Sequence, residues 1–135
     1  MIFADTGGLF AAFVPNDPDY PAADAWLSAN TELLVTTDYV LDELFTLLKI
    51  RGEYQRALFL GPRLFSEDVL EIEWVTEEDV RRAWQIYERH QDKAWSFTDC
   101  TSFVVMQRLQ IPAAFAFDKH FRQFGTVTVV PAASR

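Results

Sequence analysis

The sequence predicts an α/β domain with a mostly parallel central sheet flanked by helices. Short apolar runs of strand length alternate with longer segments of helical period along the whole chain. Half of the residues are hydrophobic, with twelve phenylalanines, four tryptophans and four tyrosines, ample material for a packed core. At 135 residues the chain has the length of one domain, by the usual prior of roughly 100–200 residues each. No linker, repeat or low-complexity stretch divides it, so the domain is expected to span residues 1–135.

Met1 to Ala4 reads as a short buried strand, interrupted at Asp5-Thr6-Gly7-Gly8 before an apolar turn from Leu9 to Val14. Pro15 to Pro21 reads as a loop, and Ala22 to about Asn30 as a helix. Leu33-Leu34-Val35 is the second strand; Thr36, Thr37 and Asp38 offer capping oxygens to a helix that runs to about Arg51 and stops at Gly52. On that helix Val40, Leu41, Leu44, Phe45, Leu47 and Leu48 share one face. A helix from Tyr54 to about Phe65 follows, with a possible break at Gly61-Pro62. Val69 to Val75 alternates as a half-buried strand, with Leu70, Ile72 and Trp74 facing in and Glu71 and Glu73 facing water. Thr76 and Asp79 form a capping box for an amphipathic helix to about His90. Ser96 and Asp99 repeat that box, and the helix from Phe97 carries apolar residues in nearly every direction, the mark of a helix packed on most sides. After Pro112, a strand from Ala113 to Phe117 ends on Asp118. A short helix with Phe121 and Phe124, then Gly125 and a strand Val127 to Val130, complete the series.

Composition excludes several function classes. A formal charge of −8 argues against a broad basic surface for nucleic acid, though not against a nuclease, since acids that bind cations contribute to the negative count. The single cysteine, Cys100, rules out an internal disulfide, and its apolar helix suggests a buried thiol. Nothing in the sequence places His90 or His120 beside it, so no catalytic thiol is read. Residues 1–5 have no basic region and meet an acid at Asp5, so no secretory signal is expected there. No apolar run approaches the roughly 20 residues of a membrane span, and the cytoplasm is the expected compartment.

Chemistry concentrates in carboxylates. Asp5 and Asp118 end strands, where ligands gather in open α/β sheets, and Asp99 opens a buried helix. Each aspartate also has a plain reading as a helix cap. On the helix after Thr37, Asp42 and Glu43 both lie outside the middle of the core face and differ by only about 20° in their distance from it, so periodicity leaves both open. If these ends meet at one rim of the sheet, like charges raise one another's pKa unless hard cations neutralise them. An all-oxygen set favours Mg²⁺ or Mn²⁺ over zinc. Such ions activate water and steady phosphodiester oxygens, which points to a metal-dependent nuclease.

Across almost the whole chain these residues resemble a PIN domain, specifically a VapC-type ribonuclease toxin. The resemblance rests on Asp5-Thr6 after the first strand, Glu43 within Tyr39-Val40-Leu41-Asp42-Glu43-Leu44, Ser96-Phe97-Thr98-Asp99-Cys100, and Phe117-Asp118-Lys119-His120-Phe121. It implies a three-layer fold, selects Glu43 over Asp42, and makes Asp5, Glu43, Asp99 and Asp118 catalytic metal ligands. Thr6 and Thr98 become hydroxyls that orient carboxylates or a bound water. It further implies RNA as substrate, Mg²⁺ or Mn²⁺ as cofactor, a homodimer, and an antitoxin partner that covers the site. Gly7 and Ala116 depart from the family's frequent polar residues there. The competing readings are a PIN-like binding module without activity and a receiver-like signalling domain. The latter lacks a second acid beside Asp5.

Overall fold

In the computed structural model, which describes residues 1–132, five parallel strands form one sheet flanked by seven helices. The expected domain span of 1–135 therefore reaches past the described residues. In chain order the elements are β1 (Ile2–Ala4), α1 (Thr6–Phe13), α2 (Tyr20–Ala29), β2 (Leu34–Thr37), α3 (Asp38–Ile50), α4 (Tyr54–Phe65), β3 (Glu71–Glu73), α5 (Glu77–Arg89), α6 (Phe97–Leu109), β4 (Ala113–Phe115), α7 (His120–Gln123) and β5 (Thr128–Val130). The strand order β3-β2-β1-β4-β5 reverses direction at β1, so a crevice opens beyond the carboxyl ends of β1 and β4. Register holds those ends level. Ala4 pairs with Phe115, the Asp5 amide donates to the Phe115 carbonyl at 3.1 Å, and the Thr36 hydroxyl donates to the Ala4 carbonyl at 2.8 Å.

An aromatic cluster ties these ends to the helices. The rings of Phe3, Phe103 and Phe121 are fully buried, with Phe121 5.0 Å from Phe103 and 6.3 Å from Phe3 between centroids. Phe103 also stacks on Phe124 at 4.2 Å and meets Trp95 edge-on at 5.0 Å. Each ring lies a few residues from an acid, so β1, α6 and α7 are fixed just where Asp5, Asp99 and Asp118 depart.

Local readings were overturned where tertiary contact outweighed propensity. The glycine pair does not interrupt the chain: α1 already begins at Thr6 and includes both. A Cβ on Gly8 would stand 2.3 Å from the Phe115 carbonyl oxygen, so glycine is what lets α1 lie against β4. The helix α2 starts at Tyr20, inside the stretch read as loop, with proline in its first turn, where the missing N–H has no helical partner to lose. Thr36 belongs to β2 and only Thr37 caps α3, its hydroxyl accepting from the Val40 amide at 3.1 Å. The helix α4 continues through Gly61-Pro62 without the possible break. Trp74 lies past the end of β3, an edge strand of three residues, and is 62 % exposed rather than core-facing. The strand β4 stops at Phe115, leaving Asp118 on the loop that follows.

Glu73, expected on a solvated face, is half-buried and paired. Arg108 on α6 reaches Glu73 at 2.8 Å and grips both oxygens of Asp79, at 3.0 and 2.8 Å, so one guanidinium joins β3, α5 and α6. Burial alone would raise the Asp79 pKa, but the Arg108 hydrogen bonds and the Thr76 amide bring it below the usual carboxylate range. A folded-state pKa below the unfolded value of ~3.9 adds stability that is complete well above that pH and is lost as pH falls through the folded value. Arg108→Met is expected to cost about 2–3 kcal/mol in urea unfolding at pH 7, since it leaves Asp79 buried without its cation. The wild-type advantage should shrink as the pH falls below the unfolded value of ~3.9 and toward the lower folded value, where Asp79 takes up its proton.

Candidate active site

Asp5 is the most confined acid of the set. It occupies the N-cap position of α1 with extended backbone, φ −84° and ψ 162°, yet its side chain makes no capping hydrogen bond. The residue is 2 % exposed, and its Oδ1 is buried with no partner among the described residues. The neighbouring Thr6 hydroxyl is buried and unpartnered as well. An orphaned buried carboxylate is costly, and such an atom calls for an explanation. Its neighbours supply the electrostatic half of one. Burial first, then the charges of Asp99 and Asp118 and, more weakly, Glu43, push Asp5 well above the usual carboxylate range, against the opposing effect of the Thr6 amide. Asp99, Asp118 and, more weakly, Glu43 thus stand close enough to Asp5 for their charges to act on it.

Asp99 does cap its helix. Oδ2 accepts the Ser96 amide at 3.0 Å while the Asp99 amide donates to the Ser96 hydroxyl at 3.0 Å, the complete capping box. The capping reading and the site reading thus describe the same side chain. Asp99 is 4 % exposed; burial, and to a lesser degree Asp118, raise its pKa overall, although the Ser96 amide and His120 pull the other way. Burial together with the Asp99 charge pushes the Cys100 thiol up to about 11, so it stays protonated and inert at neutral pH.

Asp118 lies on the exposed loop after β4, its Oδ1 accepting the His120 amide at 2.9 Å. Glu43 and Asp42 differ in burial: Glu43 is half-buried, whereas Asp42 is exposed. Glu43 and Thr98 line one shallow depression of about 340 Å³ with Asp42, Thr46, Leu47 and Ile50, so the first turn of α6 meets the middle of α3 there. Asp38, nearby in sequence, serves structure and accepts the Val75 amide at 2.7 Å.

One polar residue of the cluster escaped sequence reasoning. His120 Nδ1 lies 2.8 Å from Asp99 Oδ2 and 3.7 Å from Asp118 Oδ2. The Asp-x-His spacing signals only the local turn on Asp118; the contact with Asp99 spans 21 residues and has no local signature.

Among the described residues, no three His, Cys, Asp or Glu side chains stand ready-made as a metal cage. The chemistry of the donors nonetheless fits a hard divalent cation: several carboxylates, an orphaned buried oxygen on Asp5, and no thiolate partner. A cation there would relieve the mutual repulsion that the bare acids suffer.

The model of the PIN domain matches residues 2–127. The chain is 34 % identical over 131 residues to the 23S rRNA-specific endonuclease VapC20 of Mycobacterium tuberculosis, covering 97 % of this chain and 99 % of that one. The crystal structure of that organism's VapC20, described as a sarcin-ricin loop cleaving toxin, superposes with a TM-score of 0.89 at 31 % identity, over 94 % of this chain and 97 % of the other. FitAcB from Neisseria gonorrhoeae shares the fold, with a TM-score of 0.71 at 17 % identity over 96 % of each chain.

Proposed function

Because the chain belongs to the PIN domain family, we propose that it is an endoribonuclease toxin that hydrolyses RNA phosphodiester bonds with Mg²⁺ or Mn²⁺. The observation that carries this reading is Asp5: fully buried, with an unpartnered oxygen, and pressed upon by three other carboxylates. Caps and packing account for none of that. Similarity over nearly the full length to an rRNA endonuclease supports RNA as the substrate and makes ribosomal RNA the first to try.

Asp5, Asp99 and Asp118 would hold the cation, with Glu43 at its edge on α3. When bound, the metal supplies a water activated at neutral pH and charge stabilisation for the phosphodiester oxygens. The rest falls to the chain. The rigid ends of β1 and α6 fix Asp5 and Asp99, so little reorganisation is needed as charge develops. The Ser96 amide and His120 occupy Oδ2 of Asp99, which leaves Oδ1 for coordination. The Thr6 hydroxyl, buried and unpartnered next to Asp5 in sequence, and that of Thr98, which shares a depression with Glu43, would be free to orient a metal-bound water or a carboxylate once the cation is in place. Lys119 and Arg122 are exposed next to Asp118 and offer the incoming RNA positive charge at the site, whereas Arg81 and Arg82 are engaged in pairs with Glu77 and Glu78. The proposal includes one domain with one site, a cytoplasmic location, a homodimer, and an antitoxin protein that blocks the site. No helix of the described residues is long and apolar enough to cross a membrane.

Incubating purified, antitoxin-free protein with total RNA and with intact ribosomes, in Mg²⁺ or Mn²⁺ and beside an EDTA control, tests this reading. Discrete cuts that EDTA abolishes are expected. Intact RNA under every condition would leave the inactive binding module as the better account.

A further inference from the structure

We propose that His120 is a positioning residue of the acidic site: it latches Asp99 to Asp118 across the crevice and holds both in the arrangement that receives a divalent cation. The latch has two arms. Its ring Nδ1 is 2.8 Å from Asp99 Oδ2, and its main-chain amide donates to Asp118 Oδ1 at 2.9 Å. The same Nδ1 stands 3.7 Å from the other Asp118 oxygen. A carboxylate oxygen accepts, so Nδ1 carries the proton, and that N–H lies between two groups that would otherwise repel.

The residue is itself held in place. It opens α7, and the next residue, Phe121, is fully buried against Phe103 of α6 and Phe3 of β1. The His120 backbone is thus tied to the two elements that carry Asp99 and Asp5. The division of labour between oxygens follows. Asp99 Oδ2 takes two donors, the Ser96 amide and His120, and Asp118 Oδ1 takes the His120 amide, leaving Asp99 Oδ1 and Asp118 Oδ2 as the oxygens for a cation. Asp118 needs this most. It sits on an exposed loop past the end of β4, where no strand pairing holds it. Without the imidazole N–H, which stands 3.7 Å from Asp118 Oδ2, only the main-chain amide would hold Asp118, and nothing would offset the repulsion between its carboxylate and that of Asp99.

The inference rests on the nuclease reading only in taking Asp99 and Asp118 as metal ligands. Its test is Mn²⁺ binding, followed by the electron paramagnetic resonance of free Mn²⁺, for wild type, His120→Ala and His120→Asn, with urea unfolding to verify that each is folded. His120→Ala is expected to weaken Mn²⁺ binding about tenfold, the loss typical of removing a group that orients a ligand, and to lower kcat with KM for RNA unchanged. His120→Asn places an amide N–H close to the position of Nδ1 and should restore most of the affinity. Mn²⁺ affinity unchanged in His120→Ala, or equally poor in both variants, would overturn the proposal. Binding that depends on His120 in a protein that cuts no RNA would sink the nuclease reading and leave the latch standing. A wild-type protein that binds no Mn²⁺ would overturn both.

Discussion

Asp5→Asn is expected to abolish RNA cleavage, by on the order of a thousandfold, the scale on which losing a charge-stabilising group costs an active site. The same change should make the metal-free protein more stable. The carboxylate of Asp5 is buried with an unpartnered oxygen, and burial and three like charges raise its pKa well above the usual range. Such a group binds its proton more tightly folded than unfolded. Its contribution is therefore most favourable below the unfolded value of ~3.9 and turns unfavourable as pH rises through the interval up to the folded value. Asparagine fills the same space and never ionises. At neutral pH the metal-free variant should gain on the order of 1 kcal/mol, or about 3–5 °C in Tm for a chain of this size, and the gain should vanish as the pH falls toward 4. Mg²⁺ should invert the ranking. A cation at a hundred times its Kd stabilises the wild type by about 2.7 kcal/mol through binding the folded state alone, and the variant lacks a ligand for it. Melting curves with and without Mg²⁺ read both effects in one experiment. Equal Mg²⁺ shifts for the two proteins would remove Asp5 from the metal site.

Asp79 and Asp99 show how far the sequence could be read. Each closes a capping box, Thr76 to Asp79 and Ser96 to Asp99, and the structure forms both as the spacing predicts. The two motifs are locally equivalent, yet their electrostatic fates are opposite. Asp79 meets the Arg108 guanidinium and is held below the usual carboxylate range; Asp99 has only an imidazole for a partner, and burial, helped by the charge of Asp118, raises it in spite of His120. The deciding partners lie 29 and 21 residues away, so no window along the chain contains them. The strands and helices were legible because period and caps are local. Gly8 was not, because its reason is a carbonyl of Phe115 across the sheet. Trp74 was misassigned because alternation predicts which way a side chain points, but not that the strand ends one residue earlier. Asp5, Asp99 and Asp118 were legible as candidates from strand ends and a buried helix start, and the resemblance to a family was needed only to choose Glu43 over Asp42 as the fourth. The action of the other three on Asp5 depends on the crossover between β1 and β4 that sets those strand ends side by side.

The ambiguity on α3 leads to the second large effect. Glu43→Gln is expected to lower cleavage by roughly 10–100-fold, and Asp42→Asn to leave it unchanged, in the same RNA assay. Periodicity could not choose between these neighbours; packing does. Val40, Leu41, Leu44 and Leu48 are buried, and this sets the rotation of α3 so that Asp42 is exposed while Glu43 is half-sunk beside the first turn of α6. The Glu43 charge weighs on the Asp5 carboxylate, though less than that of Asp99 or Asp118. That order fixes the relative size of the effects. In the proposed site a ligand at the edge of the cluster would tune a cation held by Asp5, Asp99 and Asp118, so its loss should cost less than theirs, and excess Mn²⁺ should recover part of the activity of Glu43→Gln but none of that of Asp5→Asn. If Asp42→Asn proved as damaging as Glu43→Gln, the rotation of α3 against the sheet, and with it the assignment of the fourth acid, would have to be redrawn.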